Sequence, residues 1–183
     1  MTEDDYWRII KDARSFANGD VEFQAQLIAT SMGTRSVPEL NAFNSWVRQR
    51  MHDATLTDLL LVVSWVYDVH DLGPVSGDGW EYWRGWLVSR GKEEYMAALR
   101  NADVVAEYFT DIDDFLGGES IEYSAMYAYE LATGSRGAPE EMYDASLIES
   151  WPAWWKDEDE TAQRLRERFP KMAAKFGLPS FAR

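Results

Sequence analysis

Ionisable side chains gather around a histidine in the middle of the sequence. His70 lies between Asp68 and Asp71, and Asp78 and Arg84 follow after a loop rich in glycine. Carboxylates on both sides favour the protonated imidazole, so His70 could serve as a general base. The same side chains make Asp68, His70 and Asp71 weak candidates for a divalent metal site, although we expect none. The structural alternative assigns Asp78 to a helix cap, His70 to a helix C-terminus and Arg84 to an ion pair.

Tryptophans surround the arginine of this region. Trp80, Trp83 and Trp86 follow one another at intervals of three residues, so they lie on one side of a predicted helix. They could line a ligand site or belong to the core, as such stripes commonly do. Arg84 could present its guanidinium to a carboxylate or phosphate, or it could tie the fold together internally. The candidate ligand-binding residues are His70, Asp71, Asp78, Trp83 and Arg84.

Acidic residues outnumber basic ones. The 32 Asp and Glu residues and 18 Lys and Arg residues give a formal net charge of −14. Between residues 101 and 135 there are eight acids and no Lys or Arg, and the acids include Asp111, Asp113 and Asp114. Such a surface repels a phosphate backbone, so we exclude nucleic acid and expect a basic protein partner or a divalent cation. The alternative is a solvated face without a partner.

Three tryptophans near residue 150 form a second candidate contact surface. Trp151, Trp154 and Trp155 precede the acidic run of residues 157–160. Exposed, these rings would be a docking patch for a partner; folded back, they would cover the core. We count them, together with Asp111, Asp113 and Asp114, as candidate partner-binding residues.

Missing residue types and motifs exclude several classes of protein. The sequence has no cysteine, which excludes disulfides, thiolate metal sites and cysteine nucleophiles. It has no Gly-x-Ser-x-Gly motif, no P-loop and no dinucleotide-binding glycine motif. No apolar run approaches the ~20 residues of a membrane-spanning helix, and the acidic start lacks the basic region of a signal peptide. We expect a cytoplasmic protein without cofactor or membrane contact.

Helical periodicity predicts the elements that position these residues. Capping residues, among them Asp20 and either Ser76 or Asp78, glycine stops and apolar residues at intervals of three and four indicate helices, and no segment alternates as a strand does. The predicted helices cover residues 3–17, 21–32, 37–51, 58–70, 79–89, 92–100, 119–133 and 157–169, with helical turns at 103–109 and an acidic loop at 111–118. We predict an all-α fold, a single compact domain of about seven to nine helices in a non-repeating, irregular bundle.

The predicted helices differ in how deeply they should be buried. The helix over 58–70 is apolar around most of its circumference, so we expect it at the centre of the core. A run of Gly, Ser and Pro after residue 133 marks the best boundary. We therefore divide the chain into a helical domain, residues 1–134, and a C-terminal helical extension, residues 135–183, packed on the same domain.

The segment that follows this central helix resembles a known family. Ser76-Gly-Asp-Gly-Trp-Glu-Tyr-Trp-Arg-Gly-Trp-Leu-Val-Ser-Arg-Gly91 is similar to the signature of the domain of unknown function 4240 (DUF4240) family, which is bacterial and frequent in actinobacteria. The opening Asp5-Tyr-Trp-Arg-Ile-Ile10 matches the usual start of that family, and the resemblance covers residues 4–132. Gly77 stands where the family pattern is acidic. The resemblance implies a shared fold and a bacterial cytoplasmic setting, and it implies no activity.

Two functional hypotheses follow from these observations. We expect a non-catalytic protein-interaction or regulatory module, because the middle of the chain is acidic and catalytic motifs are missing. A protein that mimics nucleic acid would be a special case, and it requires the acids of residues 101–135 on one exposed face. The alternative is a small-molecule or metal-binding protein, or an enzyme, with its site between Asp68 and Arg84. The oligomeric state is not indicated.

Overall fold

The computed structural model describes residues 1–135 and 158–180. Every regular element within these ranges is helical, which confirms the predicted all-α fold. A turn of 3₁₀ helix covers Ala102–Val104, and no helix of the described ranges is long and apolar enough to cross a bilayer. The α-helices are α1 (Glu3–Ala17), α2 (Val21–Met32), α3 (Val37–Asp53), α4 (Thr57–Val69), α5 (Gly77–Ser89), α6 (Lys92–Arg100), α7 (Val105–Tyr108), α8 (Ile112–Leu116), α9 (Gly118–Thr133), α10 (Glu158–Arg168) and α11 (Pro170–Phe176).

Capping residues set the starts of the helices that matter for the site. The carboxylate of Asp20 accepts the backbone N–H of Phe23 at 2.8 Å and begins α2, as predicted. At α5 the cap is Ser76, whose hydroxyl accepts the backbone N–H of Gly79 at 3.0 Å. Asp78, the alternative candidate for this cap, lies instead in the first turn of α5 and is exposed.

Helices α4 and α5 bury most of their residues in the core. Most of α4 is buried, as its apolar circumference predicts. On α5 the side chains of Trp80, Trp83 and Trp86 are all buried, and the rings of Trp80 and Trp83 stack with centroids 5.4 Å apart. Of the two alternatives for this stripe, the structure therefore shows the core.

Helix α9 packs along α2 and α5 and also contacts α3. Two glycines allow its close approach to α5. A Cβ atom on Gly85 of α5 would overlap the carbonyl oxygen of Gly118, and one on Gly118 would overlap the carbonyl oxygen of Tyr82. The first turn of α9 therefore lies directly against the backbone of α5.

The short helix α8 lies within the segment that the sequence predicts as an acidic loop, so that prediction is wrong in part. A helix of five residues has little stability of its own. Phe115 packs α8 against the core. Its ring is buried, and the centroid of this ring lies 4.6 Å from that of Trp86 and 4.8 Å from that of Phe109. At the start of the helix, the carboxylate of Asp111 accepts the backbone N–H of Asp113 at 3.2 Å. Tertiary contacts rather than local propensity therefore form α8.

Helices α10 and α11 pack on the N-terminal part of the chain. Phe169 is buried in the same core as α4. The indole N–H of Trp65 donates to the carbonyl oxygen of Gly177 at 2.9 Å, and the ammonium group of Lys175 donates to two backbone carbonyls at the end of α7. The predicted division of the chain at residue 135 stays a prediction, because it borders the residues that the structure does not describe.

Candidate functional site

The residues around His70 lie where α4 ends, close to the C-terminal segment. The ring of His70 is exposed and its centroid lies 5.6 Å from that of Phe109. Asp71 is also exposed and has a φ of 54°, a left-handed conformation that Asp tolerates. The carboxylate of Asp68 accepts hydrogen bonds from the backbone N–H and the hydroxyl of Ser180. Asp68 thus fastens the C-terminal segment to α4.

Arg84 contacts residues at the end of α3, whereas the ring of His70 lies against Phe109. Its side chain is only 1% exposed, and its guanidinium donates to the carbonyl oxygen of Met51 and to the hydroxyl of Thr55, both at 3.1 Å. One of its nitrogens lies 4.0 Å from the carboxylate of Glu81. Arg84 therefore joins α5 to the end of α3, which is the structural alternative for this residue.

The hypothesis of a ligand site between residues 68 and 84 stays a prediction. Asp78 is exposed, Trp83 is wholly buried, and His70 and Arg84 contact different helices. In the described part of the chain, no group of three or more His, Asp or Glu side chains has the geometry to hold a metal ion. Asp68, His70 and Asp71 accordingly do not form such a group.

An acidic groove of about 840 Å³ lies between the α1–α2 turn and the segment from the end of α7 to the start of α9. Among the described residues that line it, none is Lys, Arg or His. Charges of one sign around a concave surface attract and concentrate ions of the opposite sign. The acidic groove is therefore a candidate site for a cationic group. Its carboxylates belong to Asp20, Glu22, Asp111, Asp113 and Glu119.

The helix starts on both sides position these carboxylates. Asp20 and Asp111 are the N-caps of α2 and α8, so each carboxylate is tied to its own helix by a backbone N–H. Glu22 lies in the first turn of α2. Phe115 buries its ring in the aromatic core and thereby holds α8 at the edge of the acidic groove. Two of the five acids of the groove are thus tied to the backbone as helix caps.

A second group of acids, Glu81, Glu119 and Glu122, adjoins the acidic groove through Glu119, and we call it the α5–α9 cluster. The hydroxyl of Tyr82 donates to the carboxylate of Glu119 at 3.0 Å. Burial, reinforced by the charge of Glu81, raises the pKa of Glu122 to about 7, although Arg84 and Arg48 oppose this. Burial also raises the pKa of Glu81. The charge of this cluster therefore changes near neutral pH.

The sequence identified only part of the acidic groove. Asp111 and Asp113, proposed from the acidic stretch as partner-binding residues, do line it. Asp20 was assigned as a helix cap, which it is, while Glu22 and Glu119 were not proposed as site residues. The signal for Glu119 is its place in the acidic stretch. The α1–α2 turn reaches the groove through tertiary packing, and no local sequence pattern indicates this.

The remaining partner-binding candidates have side chains outside the described residues. Asp114 lies within α8, but its side chain lies outside the described residues. Trp151, Trp154 and Trp155 also lie outside the described residues. Their proposed role in partner binding stays a prediction.

These features define the chain as an all-α protein with a groove lined by carboxylates. The chain belongs to the family described as Protein of unknown function (DUF4240), whose profile matches residues 1–131. This confirms the resemblance carried by the segment from Ser76 to Gly91. Comparisons with curated proteins and with solved structures gave no match. The matched residues include both the acidic groove and the α5–α9 cluster.

Proposed function

We propose that this protein is a non-catalytic protein-interaction module that binds a segment of a partner protein rich in Lys and Arg. The observation that supports it is the acidic groove, where five carboxylates meet and the described lining residues include no cation. A cationic segment placed there relieves the repulsion among these carboxylates. Electrostatic complementarity of this kind gives specificity and speeds association.

The chemistry of the lining favours a peptide segment over a small organic ligand. The volume of about 840 Å³ lies within the range of ligand sites, but such sites are lined mainly by apolar and aromatic side chains. Here Val21 is the one apolar side chain among the described lining residues; the others are acids, small polar residues and glycine. A peptide segment with Lys or Arg side chains and a polar backbone suits this surface better than a small organic ligand does.

Two properties of the molecule assist the proposed binding. The net charge of −14 steers a cationic partner toward the surface over a distance set by the ionic strength. Asp20 and Asp111 are held as helix caps, so binding does not have to order these two side chains. We further propose a bacterial cytoplasmic setting, which the family resemblance implies.

An oligolysine peptide tests the proposal by isothermal titration calorimetry. The groove variant carries Glu22→Gln and Asp113→Asn, which remove two charges and leave both capping residues intact. We expect it to bind the peptide about two- to fivefold more weakly for each charge removed, and we expect added salt to weaken the wild-type complex. A length-matched oligoglutamate peptide should not bind.

A charge-matched control separates the acidic groove from the net charge. The control variant carries Asp12→Asn and Glu93→Gln, two exposed positions that do not line the groove. We expect it to retain nearly wild-type affinity. Equal losses in the groove variant and the control variant, or no binding of oligolysine by the wild type, would contradict the proposal.

A further inference from the structure

Helix α9 exposes a row of large side chains on its outer face. Tyr123 is 39% exposed, Tyr127 is 46% exposed and Leu131 is 63% exposed. A spacing of four residues keeps them along one side of the helix, and the rings of Tyr123 and Tyr127 lie 6.5 Å apart. We call this row the α9 stripe. Tyr is among the residue types enriched at protein–protein interfaces, so the stripe has the composition of a contact surface.

The charges around the α9 stripe are acidic. Glu119, Glu122 and Glu130 lie on α9, and the helix contains no Lys or Arg. Glu81 of α5 adds to the charge felt by Glu122. The cations that act on Glu122, Arg84 and Arg48, come from α5 and α3, and Arg84 is buried. An apolar row with Glu119 and Glu130 beside it, and with Glu122 partly ionised at neutral pH, fits an apolar face bordered by cations.

The α9 stripe is continuous with the acidic groove. Glu119, in the first turn of α9, lines the groove, and the stripe begins one turn later at Tyr123. From Glu119 to Leu131 the helix advances by about 18 Å. A partner helix of a few turns is therefore long enough to reach from the groove to the end of the stripe.

A second copy of this chain is a poor occupant of this face. Two copies facing each other through their stripes would bring the carboxylates flanking them into opposition, and like charges across an interface cost binding energy. A basic partner meets no such penalty.

We propose that the α9 stripe docks an amphipathic helix of the partner, whose apolar side chains contact Tyr123, Tyr127 and Leu131 and whose Lys or Arg side chains face the flanking acids. This inference rests on the proposed function for the positive charge of the partner. In this mode of peptide recognition, the apolar face of a helix lies along a complementary surface and makes contacts at intervals of three and four residues.

Two peptides of equal length and charge test the inference. One is an amphipathic helix of Leu and Lys; the other replaces each Leu with Ser. The stripe variant carries Tyr127→Ala and Leu131→Ala; both side chains are largely exposed, and Leu131 also contacts Gly33 at the end of α2. We expect the wild type to bind the Leu–Lys peptide at least about fivefold more tightly than the Ser–Lys peptide, and the stripe variant to lose this difference. Circular dichroism checks that the variant is folded.

The controls separate this inference from the proposed function. Phe16→Ala removes a side chain that is 78% exposed on α1, and it should not change the binding of either peptide. The groove variant, Glu22→Gln with Asp113→Asn, should weaken both peptides, whereas the stripe variant should weaken only the Leu–Lys peptide. If only the Leu–Lys peptide binds, and the stripe variant weakens it, the groove proposal fails and the stripe proposal stands.

Two results would overturn the inference. One is equal affinity of the wild type and the stripe variant for the Leu–Lys peptide. The other is a concentration-dependent dimer in sedimentation analysis that the stripe variant abolishes, because the stripe would then be covered by a second copy of the chain.

Discussion

Gly85 of α5 and Gly118 of α9 lie in backbone contact, and this contact positions the candidate site. A Cβ atom on Gly85 would overlap the carbonyl oxygen of Gly118. Helix axes approach more closely when the side chains at the crossing are small. The approach brings the carboxylate of Glu119 within 3.0 Å of the hydroxyl of Tyr82, so the first turn of α9 is fixed between the acidic groove and α5.

Gly85→Ala should therefore destabilise the fold strongly. The added methyl group meets backbone atoms, which cannot turn aside as a flexible side chain can. We expect the free energy of unfolding to fall by about 3 kcal/mol, at the upper end of the usual cost of overpacking. Urea denaturation followed by circular dichroism measures it. The matched control is Gly77→Ala, where a Cβ atom meets open space, and it should be neutral or slightly stabilising. Equal stability of the two variants would refute the packing role of Gly85.

Phe115→Ala should loosen α8 and weaken the acidic groove. Its ring is buried and contacts the rings of Trp86 and Phe109, so truncation leaves a cavity and costs about 3 kcal/mol. Hydrogen exchange of the α8 amides should become faster, and oligolysine should bind more weakly although no charge has changed. Phe16→Ala, at an exposed position, should change neither quantity. Unaltered exchange in α8 would show that Phe115 does not hold this helix.

Most of the fold could be predicted because its signals are local. The caps at Asp20 and Ser76 and the apolar circumference of α4 lie within a few residues of what they determine. Helix α8 could not be predicted, because its sequence of acids and glycines is typical of a loop. Its helical form depends on Phe115 packing against Trp86 of a distant helix.

The candidate site was predicted in part for the same reason. The acidic stretch is visible in the sequence, and it gave Asp111 and Asp113. The opposite wall of the groove comes from Asp20 and Glu22, more than eighty residues away along the chain, and only the packing of α2 against α9 brings the two together. Burial likewise distinguishes Glu122 from the other acids, and the local sequence pattern does not indicate this burial.

Asp103→Asn should detach the C-terminal helix α11 from the core. The buried carboxylate of Asp103 accepts the backbone N–H groups of Lys171 and Met172 at 3.0 and 2.9 Å. An amide offers one acceptor oxygen and no charge, so we expect a loss of about 1–3 kcal/mol in the free energy of unfolding. The amides of α11 should exchange hydrogen faster than those of α4.

An exposed ion pair on the same helix provides the control for Asp103. The ammonium nitrogen of Lys171 lies 2.6 Å from a carboxylate oxygen of Glu107, and both side chains are about half exposed. Glu107→Gln should therefore cost at most about 0.5 kcal/mol, because solvent screens such pairs. If Glu107→Gln were the more damaging change, charge attraction rather than the capping of α11 by Asp103 would hold the helix.

The raised pKa of Glu122 gives the stability of the fold a defined pH dependence. Its pKa is about 7 in the folded state and near the ordinary value of 4.5 in the unfolded chain. The fold thus favours the protonated carboxyl, and this contribution to stability is complete below pH 4.5 and is lost as the pH rises to about 7. The groups that face Glu122 are Glu81 and Arg84 of α5, Arg48 of α3 and Glu119 of α9 itself.

Glu122→Gln removes the ionisation and should remove this pH dependence. Above pH 7 the variant should be more stable than the wild type by about 1–2 kcal/mol, after allowance for solvent screening, because the wild type must keep a charge partly buried. Below pH 4.5 the two proteins should be nearly equally stable. Urea denaturation across this range measures the difference, with Glu93→Gln, at an exposed position, as the control that should follow the wild type. If Glu122→Gln follows the wild type at every pH, burial does not hold the carboxyl of Glu122 protonated.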